Sequence, residues 1–197
     1  MRITTAILLC LSFATAGWSQ TAITQTVYRE STNIVDNSGN LLVIDSGFTY
    51  TATATTATPS GFFPRGARGT PHTRLTLIHS AGSPQSIDFD GNFELLGAGT
   101  QAIYAVVTTL TTTTTGTTSV QKLIAIVGNQ ALPANVSGFP SFAVTAPSNV
   151  RLGGADTLSV ITHATRATGT TAATPRQAQL VRFNGTFSVL NSGALPQ

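Results

Sequence analysis

The chain has 197 residues, 41% hydrophobic, 9% charged and 7% aromatic, a length that suits one globular domain or one compact repeat array and excludes two large domains. Low charge signals disorder only when apolar residues are scarce as well, and a mean hydropathy of +0.20 shows that a core can form. Ten Lys+Arg against seven Asp+Glu give a formal charge of +3, with one lysine, Lys122, and scattered arginines; nucleic acid is not an expected partner, because binding it takes clustered cations that neutralise several phosphates together.

Residues 1–16, MRITTAILLCLSFATA, carry one cation at Arg2, an apolar stretch from Ile3 to Ala14, and Ala14 and Ala16 at A-x-A spacing. This pattern predicts a secretory signal peptide within residues 1–19, cleaved after Ala16 or Ser19. The apolar run is shorter than the ~20 residues that span a bilayer, and no later run reaches that length, so no transmembrane segment is expected and the address is secreted or periplasmic. Cys10 falls inside the signal and follows no small residue, which predicts an exported chain without thiol, disulfide or lipid anchor. Such a chain is more typical of a bacterial envelope than of animal secretions, which leaves the sequons at Asn135 and Asn184 silent.

From residue 20 onward no stretch holds helical apolar spacing over three turns, while Thr, Val and Ile recur in short runs bounded by Gly, Pro, Asn and Ser. The expected class is all-β over residues 20–197. A leading strand near Ile23–Tyr28 precedes a four-part pattern that appears three times, near residues 30–90, 91–146 and 147–192. Each copy opens with a short strand (33–36, 93–96, 149–152) and a tight turn (37–40, 97–100, 153–156), where glycine and asparagine would supply positive φ. An apolar strand follows (41–45, 103–107, 158–162), then a Thr/Ala-rich connection (48–71, 108–118, 163–175), a third strand (74–78, 122–126, 179–183) and a weaker fourth (86–89, 141–144, 186–189).

A period of roughly 50–60 residues with four antiparallel strands per copy suits a propeller blade. The segment VDNSGNLLVIDSG at 35–47, followed by TRLTLI at 73–78, resembles the NHL-type blade pattern, in which a D-x-x-G-N turn leads into a strand ending in Asp. The resemblance covers the first copy; the turns of the other two lack that Asp and Asn. It implies three blade-like, propeller-like repeats, and since propellers close with 4–8 blades, more than one chain would complete a ring. The alternative is a β-sandwich.

Chemistry is sparse. Asp88, Asp90 and Asn92 place alternate oxygen ligands like half of a calcium loop, but the twelfth position counted from Asp88 is Gly99, where an EF-hand requires Glu. The preferred reading of Asp90-Gly91-Asn92 is therefore a hairpin turn, with no metal and no cofactor. His72, His79 and His163 fit no metal-ligand spacing, and no nucleophile elbow or phosphate loop is present. Arg65, Arg68, His72 and Arg74 form the one basic cluster, read as a solvated loop. The carboxylates Glu30, Asp36, Asp45, Asp88, Asp90, Glu94 and Asp156 offer no defined pair, and most sit where Asp caps turns.

The expectation is an exported, non-enzymatic binding or surface-structural protein whose partner is a second copy or a glycan, its Thr-rich connections, including Thr111–Thr118, gathering as a hydroxylated rim. The alternatives are a carbohydrate-binding propeller assembled from several chains, with Tyr28, Tyr50, Tyr104 or Phe62-Phe63 as stacking platforms, and an envelope hydrolase.

Overall fold

The computed structural model describes residues 21–54, 69–80, 82–113, 116–144, 147–164 and 172–196. The expected signal peptide with Cys10 lies outside the described residues, as do Phe62, Phe63, Arg65 and Arg68.

The described chain is all-β. A seven-stranded antiparallel sheet runs in chain order through β1 (Thr21–Val35), β2 (Leu41–Ala54), β3 (Thr70–Ile78), β4 (Gln85–Ala98), β5 (Ile103–Thr113), β6 (Gly116–Ile126) and β7 (Ser141–Ala143). A four-stranded antiparallel sheet holds β8 (Pro147–Leu152), β9 (Thr157–Thr162), β10 (Gln177–Phe183) and β11 (Phe187–Ala194), also in meander order. Among the described residues the only helical element is a 3-10 turn at Val136–Gly138, capped by the Asn135 side chain, and no helix is long and apolar enough to cross a membrane.

Alternation sets the faces. In β3, Thr73, Leu75 and Leu77 are buried while the intervening residues are half-buried or exposed, the period of two that puts successive side chains on opposite sides of a sheet. β5 departs from this: Ile103 to Val107 is buried without a break, as a strand between two packed layers must be. Ile103, Ala105 and Val107 join Leu42, Ile44, Leu75 and Leu77 in one apolar cluster. Tyr104 points the other way, into a second cluster with Leu123, Leu158, Val160, Val181 and Phe183. The molecule is thus three layers with two cores between them: β1 to the first half of β4, then the rest of β4 to β7, then β8–β11.

β4 belongs to two layers because it bends back on itself. Its first half pairs with β3, Gln85 opposite Leu77 and Asp90 opposite His72; its second half pairs with β5, Gly91 opposite Thr109 and Ala98 opposite Ile103. Leu77 adjoins Ile78, the partner of Leu41 beside the β1–β2 turn, and Gly99 at the other end of β4 receives the Asn37 amide from that same turn. Both ends of β4 therefore lie at one end of the molecule. The expected Asp90-Gly91-Asn92 hairpin is corrected accordingly: the reversal is present, but pairing is not interrupted, since Asp90 keeps His72 and Asn92 takes Thr108.

Other differences are local. The leading strand and the 33–36 strand are one 15-residue element, β1, with a register shift between Tyr28 and Glu30. The segment 108–118 is not a loop where it is described, because Thr111 and Thr112 pair with Thr118 and Thr117 as β5 and β6 extend. In the third turn positive φ falls on Ala155 (52°) and Asp156 (55°), not on its glycines. Neither sheet closes on itself, so the arrangement is that of stacked open sheets, compatible with a sandwich and without the ring of a propeller.

Candidate functional site

The densest polar cluster lies on the outer face of the first layer. Directly opposed residues share a face in an antiparallel sheet, and the register forms two rows there: Ser31, Asp45, Arg74, Asp88, and next to it Tyr28, Gly47, His72, Asp90. Arg74 Nε donates to Asp88 Oδ1 at 2.9 Å and Arg74 Nη2 to Oδ2 at 3.4 Å. The Tyr28 hydroxyl donates to Asp88 Oδ1 at 2.9 Å. To reach it from the edge strand the ring crosses β2 at Gly47, which has no side chain, and lies 6.1 Å from the His72 ring and 5.1 Å from the Arg74 guanidinium. His72 Nδ1 is 2.9 Å from Asp90 Oδ1, and His72 Nε2 is 3.4 Å from Asp88 Oδ1.

Asp88 and Asp90 are thus brought together, but with His72 and Arg74 between and beside them, and the bend carries Asn92 into the ladder with β5. No group of three or more His, Cys, Asp or Glu among the described residues is arranged to hold a metal ion. Both His72 ring nitrogens face carboxylates, which makes the ring a strut between Asp88 and Asp90 and leaves no nitrogen aimed at a nucleophile. Of the expected basic cluster, Arg65 and Arg68 lie outside the described residues; Arg74 sits in its expected strand, which begins early enough to include His72, and both face acids across the sheet instead of standing in solvent. That pairing has a sequence signature, H-x-R followed by D-x-D at the spacing of a hairpin centred near residue 81.

Two carboxylates have lowered pKa values. Burial alone would raise Asp88, but the hydrogen bonds from Arg74 and Tyr28 outweigh it. Burial also opposes ionisation at Asp36, and the Asn40 side chain with the Asn40, Ser38 and Gly39 amides outweighs it; Asp36 Oδ1 accepts from Ser38 N at 2.8 Å and Asn40 N at 2.9 Å. The Tyr28 hydroxyl is pushed up to about 12, through burial first and its hydrogen bond to Asp88 second. Depressed carboxylate pKa values stabilise the fold above the unfolded-chain value of 3.8, and that contribution disappears as pH falls through the lower folded-state values. Asp36→Asn and Asp88→Asn should each be less stable at pH 7 by on the order of 1 kcal/mol, and their double variant should show a flatter stability profile below about pH 4 in urea titrations than the parent.

The turns make a second candidate. Asn37 Nδ2 donates to Gly99 O at 3.0 Å, and Gln101 N donates to Asp156 Oδ1 at 3.1 Å, so the three turns 36–40, 97–102 and 153–157 follow one another across one end of the layers. A groove of ≈ 300 Å³ lies there, lined by Asp36, Ser38, Thr100, Gln101, Gly128 and Asn129. The expected aromatic platforms are spread out: Tyr104 is fully buried, Tyr28 is engaged with Asp88, and the Tyr50 hydroxyl accepts from Arg29 Nη2 at 3.1 Å. His163 borders a separate cleft of ≈ 250 Å³ beside Phe142 and Gln177, and His79 follows β3 half-buried; neither meets His72.

Comparison with family models, with curated proteins and with solved structures returned no match.

Proposed function

We propose that this is an exported, non-enzymatic binding or surface-structural protein built of three blade-like four-stranded meanders, whose hydroxyl-rich end holds glycans or a neighbouring protein through many weak hydrogen bonds. The observation that carries the reading is directional. The turns 36–40, 97–102 and 153–157 are tied together at one end, and β2, β5 and β9 each lead away from them toward a Thr/Ala-rich connection, so all three connections depart from the opposite end. The ribbons that reach it are lined with hydroxyls: Thr26 and Thr49 are hydrogen-bonded side chain to side chain at 2.9 Å, Thr24 and Thr51 at 3.3 Å, and Thr118 Oγ1 donates to Thr111 O at 3.4 Å.

The blade reading draws support from the same alignment and from the way β4 doubles back to serve as last strand of one meander and first of the next. A glycan array and a panel of chromogenic glycosides, run on the mature chain, test the function. The expected result is retention on glycans without turnover. Thr24, Thr51, Thr111 and Thr118 replaced together by valine, which keeps the β-branched shape, should weaken retention by roughly fivefold or more for each ~1 kcal/mol of lost hydrogen bonding. Turnover would overturn the reading in favour of the hydrolase.

A further inference from the structure

The outer faces of the first and last layers are unlike in charge. On the first, Asp45, Asp88 and Asp90 stand against the single guanidinium of Arg74, beside an apolar strip that ends in exposed Val35. On the last, Arg151 and Arg182 project from β8 and β10 with no acid on that face: their rows run through Ser159 and Leu180, and through Thr157 and Ser188. Leu180 is 41% exposed at the centre, above a shallow groove of ≈ 310 Å³ bordered by Ser159, Ala178 and Asn191. Among the described residues the middle layer packs on both sides, whereas each terminal layer has one apolar core face and a second face that no other layer covers. From β8 onward the only acid is Asp156, which is buried.

We infer that a second copy of this chain is the occupant of these faces, bound head to tail: the basic face of β8–β11 in one copy docks on the acidic face of β1–β4 in the next. This rests on the binding and surface-structural reading and names its partner. A contact between two different patches of identical chains either closes into a ring or runs on as a filament. Four strands about 4.8 Å apart and about six residues long present on the order of 400 Å², half of the ~800 Å² per partner of a standard interface, so each head-to-tail contact belongs to the weak class in which charge complementarity decides association.

The test is light scattering and native mass spectrometry of the mature chain at low and high salt, with circular dichroism confirming that each variant is folded. The expected result is an assembly at ~0.05 M salt that dissociates toward ~0.5 M, as the screening length shortens from more than 10 Å to a few ångströms. R151E/R182E should be monomeric, and so should D45K/D90K. Mixing the two variants should restore assembly, because each then offers the other a complementary face at both ends. A monomeric wild type overturns the inference, as does an R151E/R182E variant that still assembles. Two folded variants that fail to recombine overturn the head-to-tail geometry. A monomer that binds glycans would sink the assembly and leave the binding reading standing; a salt-sensitive assembly that turns over glycosides would do the reverse.

Discussion

Alanine at position 91 should cost about 2–6 kcal/mol, the upper end of which equals the whole stability of a marginal domain. Two independent penalties fall on the same β-carbon. Gly91 has φ +145°, a region essentially reserved for glycine, where a side chain adds about 1–3 kcal/mol of strain. The new atom would also overlap the Thr108 carbonyl oxygen across the β4–β5 ladder, and backbone oxygen in a paired strand cannot move aside as a flexible side chain can, which adds about 1–3 kcal/mol more. Gly39 supplies the control: its φ is +80° and nothing lies within 4 Å of the place a methyl group would take, so Gly39→Ala carries strain alone and should lose on the order of 1 kcal/mol. Urea unfolding of the two variants checks this, and a Gly91→Ala protein as stable as Gly39→Ala would show that the bend tolerates rearrangement.

Gly91 also marks where the sequence was readable and where it was not. Composition and β-branched runs place the strands well: 41–45, 74–78, 103–107, 122–126, 158–162 and 179–183 all fall inside strands. That signal is local, since a pleated face needs alternation and turns need Gly, Asn or Asp. The reversal at 90–92 was legible for the same reason. Its continuous pairing was not, because whether Asp90 and Asn92 stay in ladders depends on β3 and β5, which lie 18 and 16 residues away by pairing.

The polar face follows the same division. His72 and Arg74 look like members of one solvated basic cluster with Arg65 and Arg68, although Arg74 already falls in an expected strand, until the β3–β4 register is known, and then each faces an acid. The strip is readable in the sequence once the hairpin is centred near residue 81, since opposite charges directly across a hairpin stabilise it. Asp156 gave less warning. A Gly-Gly-Ala-Asp turn suggests glycine in the left-handed region, yet Ala155 and Asp156 occupy it. The reason is tertiary: that conformation turns the Asp156 carboxylate inward to Tyr104, 52 residues earlier in the chain.

Removing the Tyr104 hydroxyl should cost about 1–3 kcal/mol, although phenylalanine would keep every ring contact. Tyr104 is completely buried, its ring 5.9 Å from Phe183 and 6.4 Å from Phe187 in edge-on arrangements, so Tyr104→Phe leaves the packing between the second and third layers intact. It takes away a 2.9 Å donor to Asp156 Oδ1, an oxygen that keeps only the Gln101 amide, in a residue 3% exposed; an under-solvated buried carboxylate is the costly outcome. Asp156→Ala should be worse, since it orphans both the Tyr104 hydroxyl and the Gln101 amide and puts alanine at φ 55°, while Asp156→Asn keeps an acceptor and a residue type that tolerates that conformation. In the double variant Tyr104→Phe with Asp156→Ala the losses should not add, because the two groups act on one hydrogen bond. The pH dependence has a definite sign. Burial first, then the Asp156 hydrogen bond and charge, raise the Tyr104 pKa far above its ordinary 10.0, so the unfolded chain loses this proton at a lower pH than the folded one. The stabilisation is therefore complete below pH 10.0 and shrinks steadily as pH rises toward the folded-state value. Urea titrations from pH 8 to 11 should show stability declining above about pH 10 in the parent and declining less steeply in Tyr104→Phe; parallel profiles would mean that the hydroxyl does not bridge the two layers.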